Sequence, residues 1–228
     1  MVAPAPPRPG RDLADEGGDL LRGLREQHLA LLRGAGGGVA GHQVIARIHA
    51  TASASRANGP GRRFVVWFQG CTLGCAGCFN PATHAAAGPT IALDEVIAAF
   101  DAAAVDGLTL SGGEPMQQAP AALELLLAAR RRGRSTLMFS GYRRDELAAH
   151  ALGPAVLAHL DVLVDGRYQP ADKLGHGLRG SANQTLHLLT ARHSRAEVEA
   201  TPEAEIRIGK DGSLELTGVA PLTVRSLR

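Results

Sequence analysis

The sequence predicts an α/β fold in which parallel strands separated by helices curve toward a partial (β/α) barrel. A helical extension precedes this core and a β-hairpin follows it. Three observations carry the prediction. Short apolar runs alternate with segments of helical spacing through the middle of the chain. A Leu-rich stretch ends at a run of glycines before them. Two further apolar segments flank Gly209-Lys210-Asp211-Gly212 near the end. At 228 residues there is room for one substantial domain. The expected organisation is a flexible tail over 1–18, a helix and Gly-rich hinge over 19–41, the core over 42–190, and a C-terminal extension with the hairpin over 191–228.

Taken in order, residues 1–18 are dominated by Pro, Gly and charge and show no periodicity. Residues 19–33 carry Leu20, Leu21, Leu24, Leu29, Leu31 and Leu32, which suits an amphipathic helix stopped by Gly34; Gly36-Gly37-Gly38 suits a hinge. Residues 43–50 alternate well enough for a strand. Asn58-Gly59-Pro60-Gly61 turns the chain into an apolar strand over 64–68. Beyond a cysteine loop, 93–104 has helical spacing, with Asp94 and Glu95 in the first turn. A short strand over 108–110 ends at Ser111-Gly112-Gly113. A Leu-rich helix over 119–132 finishes in basic residues, and a strand over 136–139 follows. A short helix over 145–152 and a strand over 162–164 complete the core, and strands over 205–208 and 213–217 form the hairpin.

Charge and hydropathy exclude several classes. The net charge of +2 is too small to argue for a nucleic-acid or membrane partner. No run of about 18 apolar residues exists, and the N-terminus lacks the apolar stretch of a secretory signal. A cytoplasmic protein with no nucleic-acid or membrane partner is expected.

Cysteine usage points to chemistry. All three cysteines lie within the segment Gly70-Cys71-Thr72-Leu73-Gly74-Cys75-Ala76-Gly77-Cys78-Phe79-Asn80. A disulfide framework would spread its cysteines to close loops. A C-x3-C-x2-C loop instead offers three thiolates for three corners of a cubane iron–sulfur cluster, with Cys71, Cys75 and Cys78 as ligands. Backbone N–H groups made accessible by the glycines can donate to sulfur. With no fourth cysteine, one iron is open to a substrate or cofactor. The alternative is a zinc site of the three cysteines with His84. In a parallel sheet, ligands bind at the carboxyl ends of strands. The cysteine loop, the Gly112-Gly113-Glu114 turn and Ser140-Gly141-Tyr142 follow three successive strands, so they are expected on one rim.

These residues carry a resemblance. The loop from Cys71 to Asn80 resembles the radical S-adenosylmethionine signature. Its close, Gly77-Cys78-Phe79-Asn80, is similar to the activating enzyme of anaerobic ribonucleotide reductase, where Gly-Cys-Tyr-Asn is typical. Asn58-Gly59-Pro60-Gly61-Arg62 resembles the Asp-Gly-Pro-Gly segment of glycyl-radical activating enzymes, with Asn58 in place of Asp. Leu110-Ser111-Gly112-Gly113-Glu114-Pro115 matches the family's Gly-Gly-Glu-Pro motif. Residues 162–166 and 178–184 resemble later activase signatures.

The resemblance implies a partial barrel of the radical S-adenosylmethionine type, with a [4Fe-4S] cluster and S-adenosylmethionine as cofactors. By it, Gly112, Gly113 and Glu114 hold the cofactor's amino group; Ser140 and Tyr142, at the next strand end, either meet its ribose or adenine or are a plain loop serine and a packed tyrosine. Asp165 either acts in the pocket or caps a turn; Arg179, Ser181 and Asn183 either line the pocket or fix the last strand. The implied activity is reductive cleavage of S-adenosylmethionine to a 5′-deoxyadenosyl radical that abstracts hydrogen from a glycine of a partner protein. A low-potential donor such as flavodoxin or ferredoxin supplies the electron. The alternatives are a small-molecule or peptide substrate, or a non-catalytic zinc or iron–sulfur module.

Overall fold

The computed structural model describes residues 44–209, 211–212 and 214–219, all within the unit Gln43–Arg228. The expected tail, N-terminal helix and glycine hinge lie outside the described residues. Strands β1 (Ile45–Ala46) and β2 (Ile48–Ser55) lead into β3 (Arg63–Phe68). After the cysteine loop come β4 (Ile91–Ala92) and α1 (Leu93–Ala102), then β5 (Gly107–Gly112), α2 (Ala119–Arg131) and β6 (Ser135–Ser140). Helices α3 (Arg144–Ala149) and α4 (Gly153–Ala158) precede β7 (Val162–Asp165). Strands β8 (Lys173–His176), β9 (Arg179–Ser181) and β10 (Thr185–Leu188) follow, then α5 (Arg195–Glu199) and the hairpin β11 (Ala204–Ile208) and β12 (Leu214–Gly218).

Six strands form one open sheet in the order β10-β7-β6-β5-β3-β2. The four central strands run parallel, while β2 and β10 pair antiparallel at the two edges. The α/β expectation and its parallel strands are met, but no barrel closes among the described residues. An antiparallel strand at each edge ends the run of parallel pairing.

Strand parity divides the core. Phe64, Val66 and Phe68 of β3, Leu108 and Leu110 of β5, Met138 of β6 and Leu163 of β7 face the helices and pack with Leu93, Val96, Phe100 and the apolar side of α2. These helix residues recur at helical spacing, and Asp94 and Glu95 in the first turn of α1 suit its dipole. The opposite parity, Leu137, Val162 and Val164, packs with Leu178, Leu186 and Val198. Six segments were not foreseen from the sequence: β4, α4, β8, β9, β10 and α5. Each is six residues or shorter, too short for a periodic signal.

Candidate metal centre and cofactor cleft

β3 ends at Phe68, and the cysteine loop begins two residues later. The loop is closed at its root by backbone hydrogen bonds from Gly70 to Thr83 (2.7 Å) and from Cys71 to His84 (3.0 Å). The Gln69 amide reinforces this root by donating to the carbonyls of Ala82 and Ala85. Within it, all three cysteines are half-buried free thiols lining one cleft of about 240 Å³. Burial pushes the Cys71 and Cys78 thiols up, and backbone N–H groups of Leu73 and Asn80 pull each of them back. The Asn80 N–H reaches Cys78 Sγ at 3.4 Å. An N–H donor two residues past a cysteine is the contact by which a protein tunes an iron–sulfur cluster.

Across the cleft, β5 delivers Gly112, Gly113 and Glu114 against the root of the cysteine loop. Gly113 N–H donates to Phe68 O (2.8 Å) and Glu114 N–H to Gly70 O (2.9 Å). A Cβ at Gly113 would overlap the Gly70 carbonyl, and Gly112 sits at φ +98° against the Phe68 backbone. Only glycine permits this approach. The Glu114 carboxylate is 1% exposed. One oxygen accepts from Met116 N–H and the Ser140 hydroxyl, both at 2.9 Å; the other accepts from Gly141 N–H at 2.8 Å. Burial nevertheless raises its pKa to about 7, against the pull of those donors. Three loops that follow three parallel strands thus meet at Glu114.

Eight of the candidate ligand and cofactor residues share this cleft: Cys71, Cys75, Cys78, His84, Gly112, Gly113, Glu114 and Ser140. Tyr142 stands behind it, with its hydroxyl 3.2 Å from Gln117 Nε2 and the Arg167 guanidinium 5.6 Å above its ring. Asp165 and Asn183 line a second cleft of about 600 Å³ instead. Asp165 shares the parity of Leu163, which points to the helix side. It accepts the Arg144 N–H and lies 3.1 Å from His187 Nε2, which is not aligned for a hydrogen bond. Asn183 donates to Arg167 O, and Ser181 accepts from Gln169 N–H, so both fix the segment after β7. Arg179 lines neither cleft, and its buried Nε has no hydrogen-bond partner.

Sequence reasoning missed three contributors. Gln117 grips the cysteine loop through Thr72. Gln184 Oε1 accepts from Gly180 and Ser181, and its Nε2 donates to Gly166 O, holding one cleft wall. Leu178, at φ +64°, is the one non-glycine with positive φ among the described residues, and it lines the cleft. Leu178 and Gln184 lie within the 178–184 segment but had no assigned role, and Gln117 has no local signal.

The donor set fits an iron–sulfur cluster. Among the described residues, no three His, Cys, Asp or Glu side chains form a group that could hold a metal ion. A zinc ion would need its thiolates gathered about 2.3 Å from one point. A cubane instead takes its thiolates at separate corners, and His84 lines the same cleft as the three cysteines. Bare glycine backbone at Gly112 and Gly113 and N–H donors at the sulfurs suit a bulky, electron-rich group.

Comparison with known proteins agrees with this chemistry. The family described as a 4Fe-4S single cluster domain matches residues 57–187. The anaerobic ribonucleoside-triphosphate reductase-activating protein of Vibrio cholerae is 35% identical over 145 residues, covering 58% of this chain and 92% of its own. Its counterparts are 34% identical over 149 residues in Pasteurella multocida, with 58% and 91% covered, and 34% identical over 143 residues in Escherichia coli, with 58% and 92% covered.

Proposed function

We infer, given that the chain belongs to the 4Fe-4S single cluster domain family and to that of the anaerobic ribonucleoside-triphosphate reductase-activating proteins, that it is a radical S-adenosylmethionine oxidoreductase that activates a glycyl-radical partner. The observation behind this reading is the shared cleft, in which three thiols face the Gly112-Gly113-Glu114 turn. We read the open sheet as the partial barrel of that enzyme type.

Cys71, Cys75 and Cys78 would hold three irons of a [4Fe-4S] cluster; they are all the cysteines the chain has, so the fourth iron is left for the amino and carboxylate groups of S-adenosylmethionine. When bound, the two cofactors supply one-electron cleavage of a carbon–sulfur bond, releasing methionine, and hydrogen-atom abstraction by the 5′-deoxyadenosyl fragment. The protein's part is placement. Gly112 and Gly113 offer bare backbone to the cofactor's amino end. Glu114, with one acceptor direction left on its second oxygen, sits beneath it, and a neighbouring ammonium would hold the carboxylate ionised. Ser140 would reach the sugar, with Tyr142 behind it. Ser181 and Asn183 would act by fixing the segment after β7, and Asp165 by holding the start of α3. Trp67, Phe139 and Leu178 wall the cleft with apolar surface that excludes water.

The hydrogen would come from a glycine of the partner protein, and the electron from a low-potential donor such as flavodoxin or ferredoxin. Free thiols suit a reducing compartment, and we place the enzyme in the cytoplasm. Among the described residues no helix is long and apolar enough to cross a membrane.

Anaerobic reconstitution tests the reading. About four iron and four sulfide per chain are expected, with 5′-deoxyadenosine formed from S-adenosylmethionine under strong reductant. Zinc without sulfide, or a full cluster that cleaves nothing, refutes it.

A further inference from the structure

The C-terminal hairpin has its faces reversed. Its register sets Ile206 opposite Leu216 and Ile208 opposite Leu214. These four aliphatic side chains therefore share one face, and all are exposed, from 39% at Leu216 to 74% at Ile208. The polar face turns toward the body. The Thr217 hydroxyl lies 2.9 Å from that of Ser55 in a buried contact, the Glu205 carboxylate accepts the Arg56 N–H at 2.8 Å, and Arg207 donates to the Ala54 carbonyl at 2.6 Å. A two-stranded sheet packed on a domain ordinarily buries its apolar side. Here those contacts hold the opposite orientation.

Two placements indicate what covers the exposed face. It is continuous with the cleft: Leu216, the least exposed of the four, lines the cleft together with Thr217, Gly218 and Val219. The hairpin also lies beyond residue 187, where the family match ends. It is an addition at the mouth of the shared site, separate from the cysteine loop and the Gly112-Gly113-Glu114 turn. A macromolecular substrate that inserts a glycine into the cleft would lie beside this rim, and exposed aliphatic surface at such a point is suited to contact.

We propose that the Ile206, Ile208, Leu214 and Leu216 face docks the protein that carries the substrate glycine, against an aliphatic surface beside its glycine-bearing segment. The proposal rests on the reading of the cleft given above, and it names the surface by which that substrate is selected.

The test uses the full-length reconstituted chain and, as probe, purified anaerobic ribonucleoside-triphosphate reductase from the same organism. The variant is Ile208→Thr with Leu214→Thr, the cross-strand pair farthest from the cleft, with threonine keeping β-propensity. Binding of the probe is measured by anaerobic calorimetry, and partner-free 5′-deoxyadenosine formation is measured alongside. The expected result is a Kd raised about tenfold or more, with partner-free cleavage unchanged. An unchanged Kd, or no binding by the wild type, overturns the proposal. A wild-type dimer that the double variant dissolves in sedimentation also overturns it, because the face then belongs to a second copy. A wild type that binds the reductase but forms no 5′-deoxyadenosine refutes the cluster reading and leaves the docking comparison to be judged on its own.

Discussion

The Gln117 side chain holds Thr72 at two points: Oε1 accepts the Thr72 backbone N–H at 3.1 Å, and Nε2 donates to the Thr72 hydroxyl at 2.7 Å. The same Nε2 lies 3.2 Å from the Tyr142 hydroxyl. One amide therefore ties the residue after Cys71 to the turn after β5 and to the loop after β6. The cysteine loop is braced from its neighbours as well as from its own root.

Gln117→Ala removes this brace. Two exposed hydrogen bonds are worth about 1–3 kcal/mol together, so the fold survives and the loop loosens. We expect a reconstituted cluster that loses iron several-fold faster in air, followed by absorbance decay. Gln117→Glu keeps an acceptor for the Thr72 N–H and should recover part of the loss. Equal decay rates in wild type and Gln117→Ala would remove Gln117 from the design.

Glu114 makes the cluster-free protein pH-sensitive. Its folded pKa of about 7 lies above its ordinary 4.5 because burial disfavours the charge. The folded state holds this proton more tightly than the unfolded chain does. Stability is therefore highest below about pH 4.5 for this group, falls as pH rises to about 7, and is level above; the loss is at most about 3 kcal/mol. Denaturant titrations of anaerobic apoprotein across that window should show the slope, and Glu114→Gln should flatten it. A Gln variant with the wild-type slope assigns the effect elsewhere.

Gly113→Ala tests the close approach of β5 to the cysteine loop. The new methyl must displace the Gly70 carbonyl, and with it the start of the cluster loop. We expect iron and sulfide content to fall well below the wild-type ratio while far-ultraviolet circular dichroism is retained. A fully loaded Ala variant would show that the contact is slack.

Arg63 is a stability residue remote from this chemistry. It is fully buried at the start of β3, where it donates to the Thr109 and Ser135 hydroxyls and to the carbonyls of Leu108 and Ser135. Burial lowers its pKa to about 9. Arg63→Met keeps much of the volume but leaves those acceptors unpaired, at a cost of roughly 4 kcal/mol. Thermal denaturation should show the loss, and the cluster spectrum of the folded fraction should not change.

The chain's local patterns determined what is local. Cys71, Cys75 and Cys78 fall within one turn-sized loop, and Gly112-Gly113-Glu114 lies at the end of an apolar run, so the clustering of the thiols, the tight glycine turn and the strand–helix alternation were all legible from spacing. The hairpin was legible too, because period two survives in a five-residue strand. Tertiary structure decided what depends on parity and partners. Asp165 ends β7 with its side chain on the helix side, so it lines the other cleft, which no motif match can show. Gln117 meets Thr72 across 45 residues. The antiparallel edges leave the sheet open, and contacts at Ser55, Arg56 and Ala54 choose which face of the hairpin looks outward. A side chain's type is written in the sequence, but its direction is set by the segments it meets after folding.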